Sequence, residues 1–424
     1  MSHTIPFMPA ICITLNTMLG SGLFLNTTEL AQRAGSLGFL AYVAVGILML
    51  PLVLGMSRLV ALYPQGGFYT FGARELHPLV GFMSAWTYFV GKLASATLII
   101  HTAALLLQQL IPILQCISPF YIDVILIAIF CISNMLNVRT GSSIQYFFLT
   151  AKCIPVLTMI GAAIYWWHPV ALFNVPAWSS IPSTIPLVLY AIVGFEAACS
   201  LSSKIENAAV NAPRVILIAY AIIIALDSLY QWCAYTLLGN NLLHMRSFLD
   251  VFAALAQNIA PVGTVEYIQI ALYSTIVISA LGAAYGILYS NLWNMYAIAQ
   301  HGHTYGTSLF TALNKHHIPV ACVVLEALIC GAYLWASHGM QIPLQQITSS
   351  GLVFAYTISA LALWIAIKRK AITLPPYVAH CALINCCMLA GVCLLYLLHG
   401  GSFALYLFFS LLAGGFCMAW CRYN

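Results

Sequence analysis

The sequence predicts an all-α membrane protein of about twelve transmembrane helices, and three observations predict it. Of its 424 residues, 62% are hydrophobic and only 5% are charged, whereas a soluble chain carries about 25% charged residues. The mean hydropathy is +0.97. Apolar runs long enough for a bilayer, which needs roughly 20 residues per helix, recur from one end of the chain to the other.

The runs lie at 7–32, 37–61, 80–111, 119–138, 144–167, 182–203, 214–238, 264–298, 318–337, 343–367, 376–398 and 401–421. Only His3 precedes the first run and no basic stretch does, so it is expected as a first span and not as a cleaved leader. The third and eighth exceed the hydrocarbon thickness and must tilt or protrude. Segment 240–263 is the longest link on its side, and its stretch from Phe248 to Ile259 suits a short surface helix. The ninth to twelfth runs are joined by short links. No separate soluble domain and no low-complexity tract is expected.

Charge sets the expected orientation. With the N-terminus in the cytoplasm, the inside loops and span ends hold Arg58, Arg74, Arg139, Lys204, Arg214, Lys315, Lys368, Arg369, Lys370 and Arg422, and the outside holds Arg33 and Arg246. That asymmetry follows the positive-inside rule. An even number of spans then returns the C-terminus to the cytoplasm, in an inner (plasma) membrane.

The formal charge of +5 is no nucleic-acid signature, because the basic residues are scattered apart from Lys368-Arg369-Lys370. The fourteen cysteines sit mostly inside apolar runs, where the side chain behaves as a small hydrophobe. Neither a zinc site, a disulfide framework nor a cofactor is expected. His301, His303, His316 and His317 have loop spacing and are expected to be solvated.

Two runs are interrupted. The first contains Thr17-Met18-Leu19-Gly20-Ser21-Gly22-Leu23-Phe24, and the sixth contains Tyr190-Ala191-Ile192-Val193-Gly194-Phe195-Glu196. Glycines loosen a helix, and hydrocarbon does not satisfy the backbone groups a break frees. Such backbone belongs where it lines a cavity or meets a ligand. The breaks are five spans apart, where a five-helix repeat inverted in the second half would put them. The half-helix after Gly20 begins with unpaired N–H groups that suit a carboxylate. Carbonyls freed at Met18 and at Tyr190, Ala191 and Val193 suit an ammonium, so a zwitterion fits, with its side chain left to a separate pocket.

Gly20-Ser21-Gly22-Leu23-Phe24 resembles the first-span signature of the amino acid–polyamine–organocation (APC) permeases. Tyr63-Pro64-Gln65-Gly66-Gly67-Phe68-Tyr69, then Gly81-Phe82 and Trp86, resembles that family's link between spans two and three. Gly194-Phe195-Glu196, with Glu206-Asn207 and Pro213, is similar to its sixth span and exit, and the segment from Ala297 to Gly302, then Phe310 and Pro319, to its loop after span eight. The resemblance covers roughly 8–370. It implies a LeuT-like fold with a 5+5 inverted repeat, broken helices 1 and 6, and alternating access. Residues 1–370 would form the transport core, and 371–424 two additional spans. It implies a substrate carboxylate at Ser21 and Gly22 and an amine at the carbonyls of Met18, Tyr190 and Val193. Ser95 and Leu98 match side-chain-pocket positions, and Tyr190 matches an aromatic gate found in antiporters of the family. The chain departs from the pattern at Ala208-Ala209 after Asn207, and at Asn294, His301-Gly302 and Tyr305, where an arginine, an acid-glycine pair and a proline are usual.

Ionisable groups at membrane depth are functional candidates. Lys152, in the fifth run, matches a lysine of some proton-coupled members, whose ammonium takes the place that sodium fills in related transporters. Lys152 is therefore expected to bridge to first-span carbonyls near Leu19 and Gly20, and to couple proton movement to opening. Glu196 is expected to cap freed N–H groups or to exchange protons. Lys92 either faces the cavity, biasing against cationic substrates, or pairs with Asp227 or Glu326. His101 is expected as a satisfied interior histidine.

The expected function is secondary active transport of an amino acid, proton-coupled or exchanging, with small molecule, protons and lipid bilayer as partners and no nucleic acid. A homo-oligomer is compatible with this. The alternative within transport is a cationic amino acid/polyamine antiporter. From other classes, a membrane-bound transferase would need clustered catalytic carboxylates or histidines, which the sequence does not show, and a nutrient sensor would bind without flux.

Overall fold

A computed structural model describes residues 4–20, 22–64, 67–136, 138–166, 176, 178–261, 263–399 and 403–423, without the side chains of 138–142, 179–180, 186, 392 and 394–399. Ser21, Gln65, Gly66 and the Arg139 side chain, which figure in the expectations above, lie outside the described residues.

The described residues are mostly helical. The first span is split into α1 (Phe7–Met18) and α2 (Gly22–Ala34), followed by α3 (Gly38–Leu62), the short α4 (Phe68–Glu75), α5 (Pro78–Leu110), α6 (Pro119–Asn134) and α7 (Val138–Tyr165). The sixth is split into α8 (Ile185–Ile192) and α9 (Ala197–Ser200). Then come α10 (Ala208–Leu238), α11 (Phe248–Ile259), α12 (Val265–Gln300), α13 (Thr307–Thr311), α14 (Val320–Ser337), α15 (Gln341–Lys368), α16 (Pro376–His399) and α17 (Phe403–Tyr423). Each predicted span overlies one of these helices or a split pair. By length and composition, nine helical stretches among the described residues are fit to cross a membrane. One of these stretches joins α2 to α3, and α1, α6, α11 and the described part of α16 are shorter. The surface helix expected at Phe248 to Ile259 is α11, opened by a capping box of Ser247 and Asp250.

α5 is the axis of the bundle. It packs on α12, α15, α4 and α17 and is buried nearly all round between Leu79 and Leu106, as a helix apolar on every face must be. Around it the exposed side chains are themselves apolar, among them Ile47, Ile125, Leu157 and Leu328, a surface suited to acyl chains and not to water. Small residues let helices cross closely where lipid supplies no hydrophobic drive. A methyl at Gly91 in α5 would lie 2.9 Å from Gly351 Cα in α15 and 3.3 Å from the Ile347 carbonyl. Gly351→Leu is expected to part this crossing. Overpacking costs about 1–3 kcal/mol, and here it meets rigid backbone. A lowered Tm and a larger aggregated fraction on size exclusion, with Gly351→Ala milder, would be the result; an unchanged Tm would refute it.

Residues expected on the cytoplasmic side share one end of the bundle. The main chain of Ile5 bridges to the exit of the sixth span, with Ile5 N donating to Lys204 O at 2.7 Å and Glu206 N to Ile5 O at 2.9 Å. Lys204 Nζ sits 4.2 Å over the Trp293 ring. Buried Glu75 accepts from Arg369 Nη2 and from the Tyr63 hydroxyl, each at 2.6 Å. At the opposite end of α2, Gln32 donates to Met245 O at 2.8 Å and Arg33 to Ser183 O at 2.9 Å.

Candidate functional site

The first break lies between Met18, which ends α1, and Gly22, which opens α2. The helical ladder of α1 ends with Leu19 N donating to Leu15 O, and Gly20 N turns back to Met18 O, each at 2.8 Å. Lys152 of α7, fully buried, closes the gap: its Nζ donates to Asn16 O at 2.5 Å and to Leu19 O at 2.6 Å. Of the carbonyls expected near Leu19 and Gly20, Leu19 is therefore used and Asn16 supplies the second. The Asn16 side chain bonds Gln145 of α7 and donates to Gly282 O of α12 at 2.9 Å. Gln145 stands seven residues before Lys152, on the same helical face, a spacing that is visible in the sequence.

The second break begins after Val193, whose N–H reaches Leu189 O at 3.2 Å. Val193 is extended (ψ 155°) and Gly194 has φ +126°, a conformation open to glycine. The next N–H, of Gly194, turns to Glu196 Oε2 at 2.8 Å. The other oxygen of Glu196 receives Lys92 Nζ of α5 at 2.8 Å, and both side chains are almost wholly buried. Neither Asp227 nor Glu326 is the partner of Lys92, which corrects that alternative. Asp227 lies by Tyr42, and Glu326 lies in α14 by Cys131 and Cys322.

The two breaks touch. A methyl at Gly194 would lie 3.0 Å from Met18 Cα, and one at Gly22 would lie 3.1 Å from Ala191 Cα and 3.3 Å from the Tyr190 ring. Met18, Gly22, Tyr190, Ala191 and Gly194 are thus brought together. Gly20 stands at their edge, its Cβ direction filled by Ala283 at 3.5 Å, and Val193 follows α8 half-buried. Ser95 and Leu98 are buried in α5, one and nearly two turns beyond Lys92. Ser21 is outside the described residues. The chemistry of the arrangement is that of two helix ends in contact, the N-terminus of α2 and the C-terminus of α8, which carry opposite partial charges.

Two further polar groups settle elsewhere. His101 Nδ1 pairs with buried Asp123 Oδ2 at 2.7 Å. His303, expected to be solvated, is instead buried, with its Nε2 2.7 Å from the Tyr69 hydroxyl. Burial pushes the Tyr69 phenol up to about 12, so the tyrosine keeps its proton. Burial also holds the His303 imidazole below its usual range, so the folded protein favours the neutral ring. The unfolded chain takes up a proton near pH 6.5. This contact is therefore fully in place above about that pH and loses stability as pH falls below it. Tm should drop between about pH 7.5 and about pH 5.5, and less steeply in His303→Gln; equal slopes would refute the assignment.

A family model described as Amino acid permease matches residues 5–416. The chain belongs to this family. It is thereby a member of the APC superfamily and a multi-pass membrane protein, and members of the family are transporters. The permease is similar to the amino-acid permease RocC of Bacillus subtilis, 30% identical over 160 residues, which are 36% of this chain and 33% of that protein. The dicarboxylic amino acid permease of Saccharomyces cerevisiae is 22% identical over 369 residues, 77% of this chain and 58% of that one. Cationic amino acid transporter 1 of Schizosaccharomyces pombe is 26% identical over 154 residues, 36% and 26% respectively. The permease thus spans less than two thirds of the length of each.

Proposed function

We propose that the permease moves an amino acid across the plasma membrane by alternating access, with both termini cytoplasmic and residues 1–370 as the transport core. The carboxylate is taken at the N-terminus of α2, by Ser21 and Gly22, and the ammonium by carbonyls at the ends of α1 and α8, from Met18, Tyr190 and Val193. Ser95 and Leu98 face the side chain. Lys152 couples proton movement to the opening of the first break. The observation that carries this reading is the direct contact of the two breaks at Met18–Gly194 and Gly22–Ala191. A zwitterion held by both has to part them, so binding and the separation of the half-helices are one event. The names of the similar proteins, all amino acid carriers, agree with it.

The test is flux by the purified chain in proteoliposomes, with labelled leucine, glutamate, arginine and putrescine, with and without a pH gradient. Saturable uptake of an amino acid is the expected result. Binding without flux would turn the reading toward a sensor, and turnover of lipid without flux toward a transferase; either overturns transport.

A further inference from the structure

We infer that the Lys92–Glu196 pair sets the charge of the substrate, admitting an amino acid with a neutral or acidic side chain and excluding a cationic side chain or a polyamine. The inference rests on the proposed site and names its substrate class.

Glu196 is the acid built into the breaks. Its carboxylate accepts the Gly194 N–H at 2.8 Å, and Gly194 is the residue that packs on Met18. An acid in that place would serve as the counter-ion of an arginine, lysine or diamine substrate. Here it is already engaged, because its second oxygen holds Lys92 Nζ at 2.8 Å with side chains 3% and 0% exposed. The two charges cancel at the site, and a second cation would meet the ammonium as well as an occupied carboxylate. Like charges brought together at a dry contact cost several kcal/mol, and specificity of this kind comes from repulsion as much as from fit.

The other acids at membrane depth do not replace it. Asp123 is held by His101 at 2.7 Å. Asp227 lies against Tyr42, and Glu326 lies on α14 beside Cys131, Cys322 and Cys330. Lys152, the other embedded lysine, is turned onto the carbonyls of Asn16 and Leu19 and is no partner of Glu196.

The test uses the full-length purified protein with leucine, glutamate, arginine and putrescine, read by thermal stabilisation and by counterflow in proteoliposomes. In the wild type, leucine or glutamate should act at concentrations at least about tenfold below any effect of arginine or putrescine. Lys92→Met leaves Glu196 without its counter-charge and should bring arginine to within about tenfold of leucine, or past it. A stranded buried charge can prevent folding, so Lys92→Met with Glu196→Gln accompanies it. That variant removes both charges and should narrow the discrimination by a smaller factor, whereas a purely structural role would leave the arginine-to-leucine ratio where it was. The inference is overturned if the wild type takes arginine or putrescine as readily as leucine or glutamate, or if neither variant shifts the ratio. If the wild type neither binds nor moves any of the four, the transport reading fails first, and this inference with it.

Discussion

Lys152→Ala is expected to abolish uptake driven by a pH gradient while sparing exchange of substrate across the membrane. The ammonium is the only described partner that ties α7 to the first break through two carbonyls at once, Asn16 O and Leu19 O. Without it both acceptors are left buried, and each unsatisfied group costs about 1–3 kcal/mol. The break loosens, and the group that would gain and lose a proton is gone. Exchange needs no net proton movement, so it should persist, although slower where the break is poorly formed. Parallel assays in one liposome preparation separate the two: proton-driven accumulation falling to background with exchange retained is the expected outcome. Unchanged accumulation would remove Lys152 from the coupling.

Gly194→Ala should be nearly as severe, for a different reason. The residue has φ +126°, which an L side chain holds only at a cost of about 1–3 kcal/mol. The added methyl would also stand 3.0 Å from Met18 Cα and 3.2 Å from Met18 N, where backbone cannot turn aside. The second break would be pushed off the first, taking the Gly194 N–H away from Glu196. Loss of measurable flux and a lowered Tm are expected. Gly161→Ala, where a methyl meets nothing within 4 Å, is the control and should behave as wild type. A Gly194→Ala protein with normal flux would show that the breaks need not touch.

Both breaks were legible in the sequence because glycine in a lipid-spanning helix has a local cost that needs a local reason, and Gly20, Gly22 and Gly194 supplied it. The reach of Lys152 to Leu19 was legible through resemblance, but the second acceptor was not. Asn16 is one turn before the break, and its carbonyl is exposed to the lysine only because Leu19 leaves the helix at ψ 76°. The partner of Lys92 was illegible for a plainer reason. Several acids lie within the apolar runs, among them Asp123, Glu196, Asp227 and Glu326. The expected partners were Asp227 or Glu326, and the choice among the acids depends on how α5 lies against the sixth span, 104 residues later. The helix α4 was missed because Phe68–Glu75 follows Gly66-Gly67 and carries mixed polarity that reads as a link. The burial of His303 was hidden as well, since it depends on Tyr69 of that same unforeseen helix.

The short bridge between Ile5 and the segment leaving α9 has a mechanical consequence. Two main-chain bonds, at 2.7 and 2.9 Å, join the foot of α1 to the foot of α9. The half-helices that run from each break to that end of the bundle are clasped together, so they swing as a single lever about the breaks unless the clasp is undone. Any gate at this end of the molecule is then one moving part with one latch, and that latch lies about three and a half turns of helix from the first break.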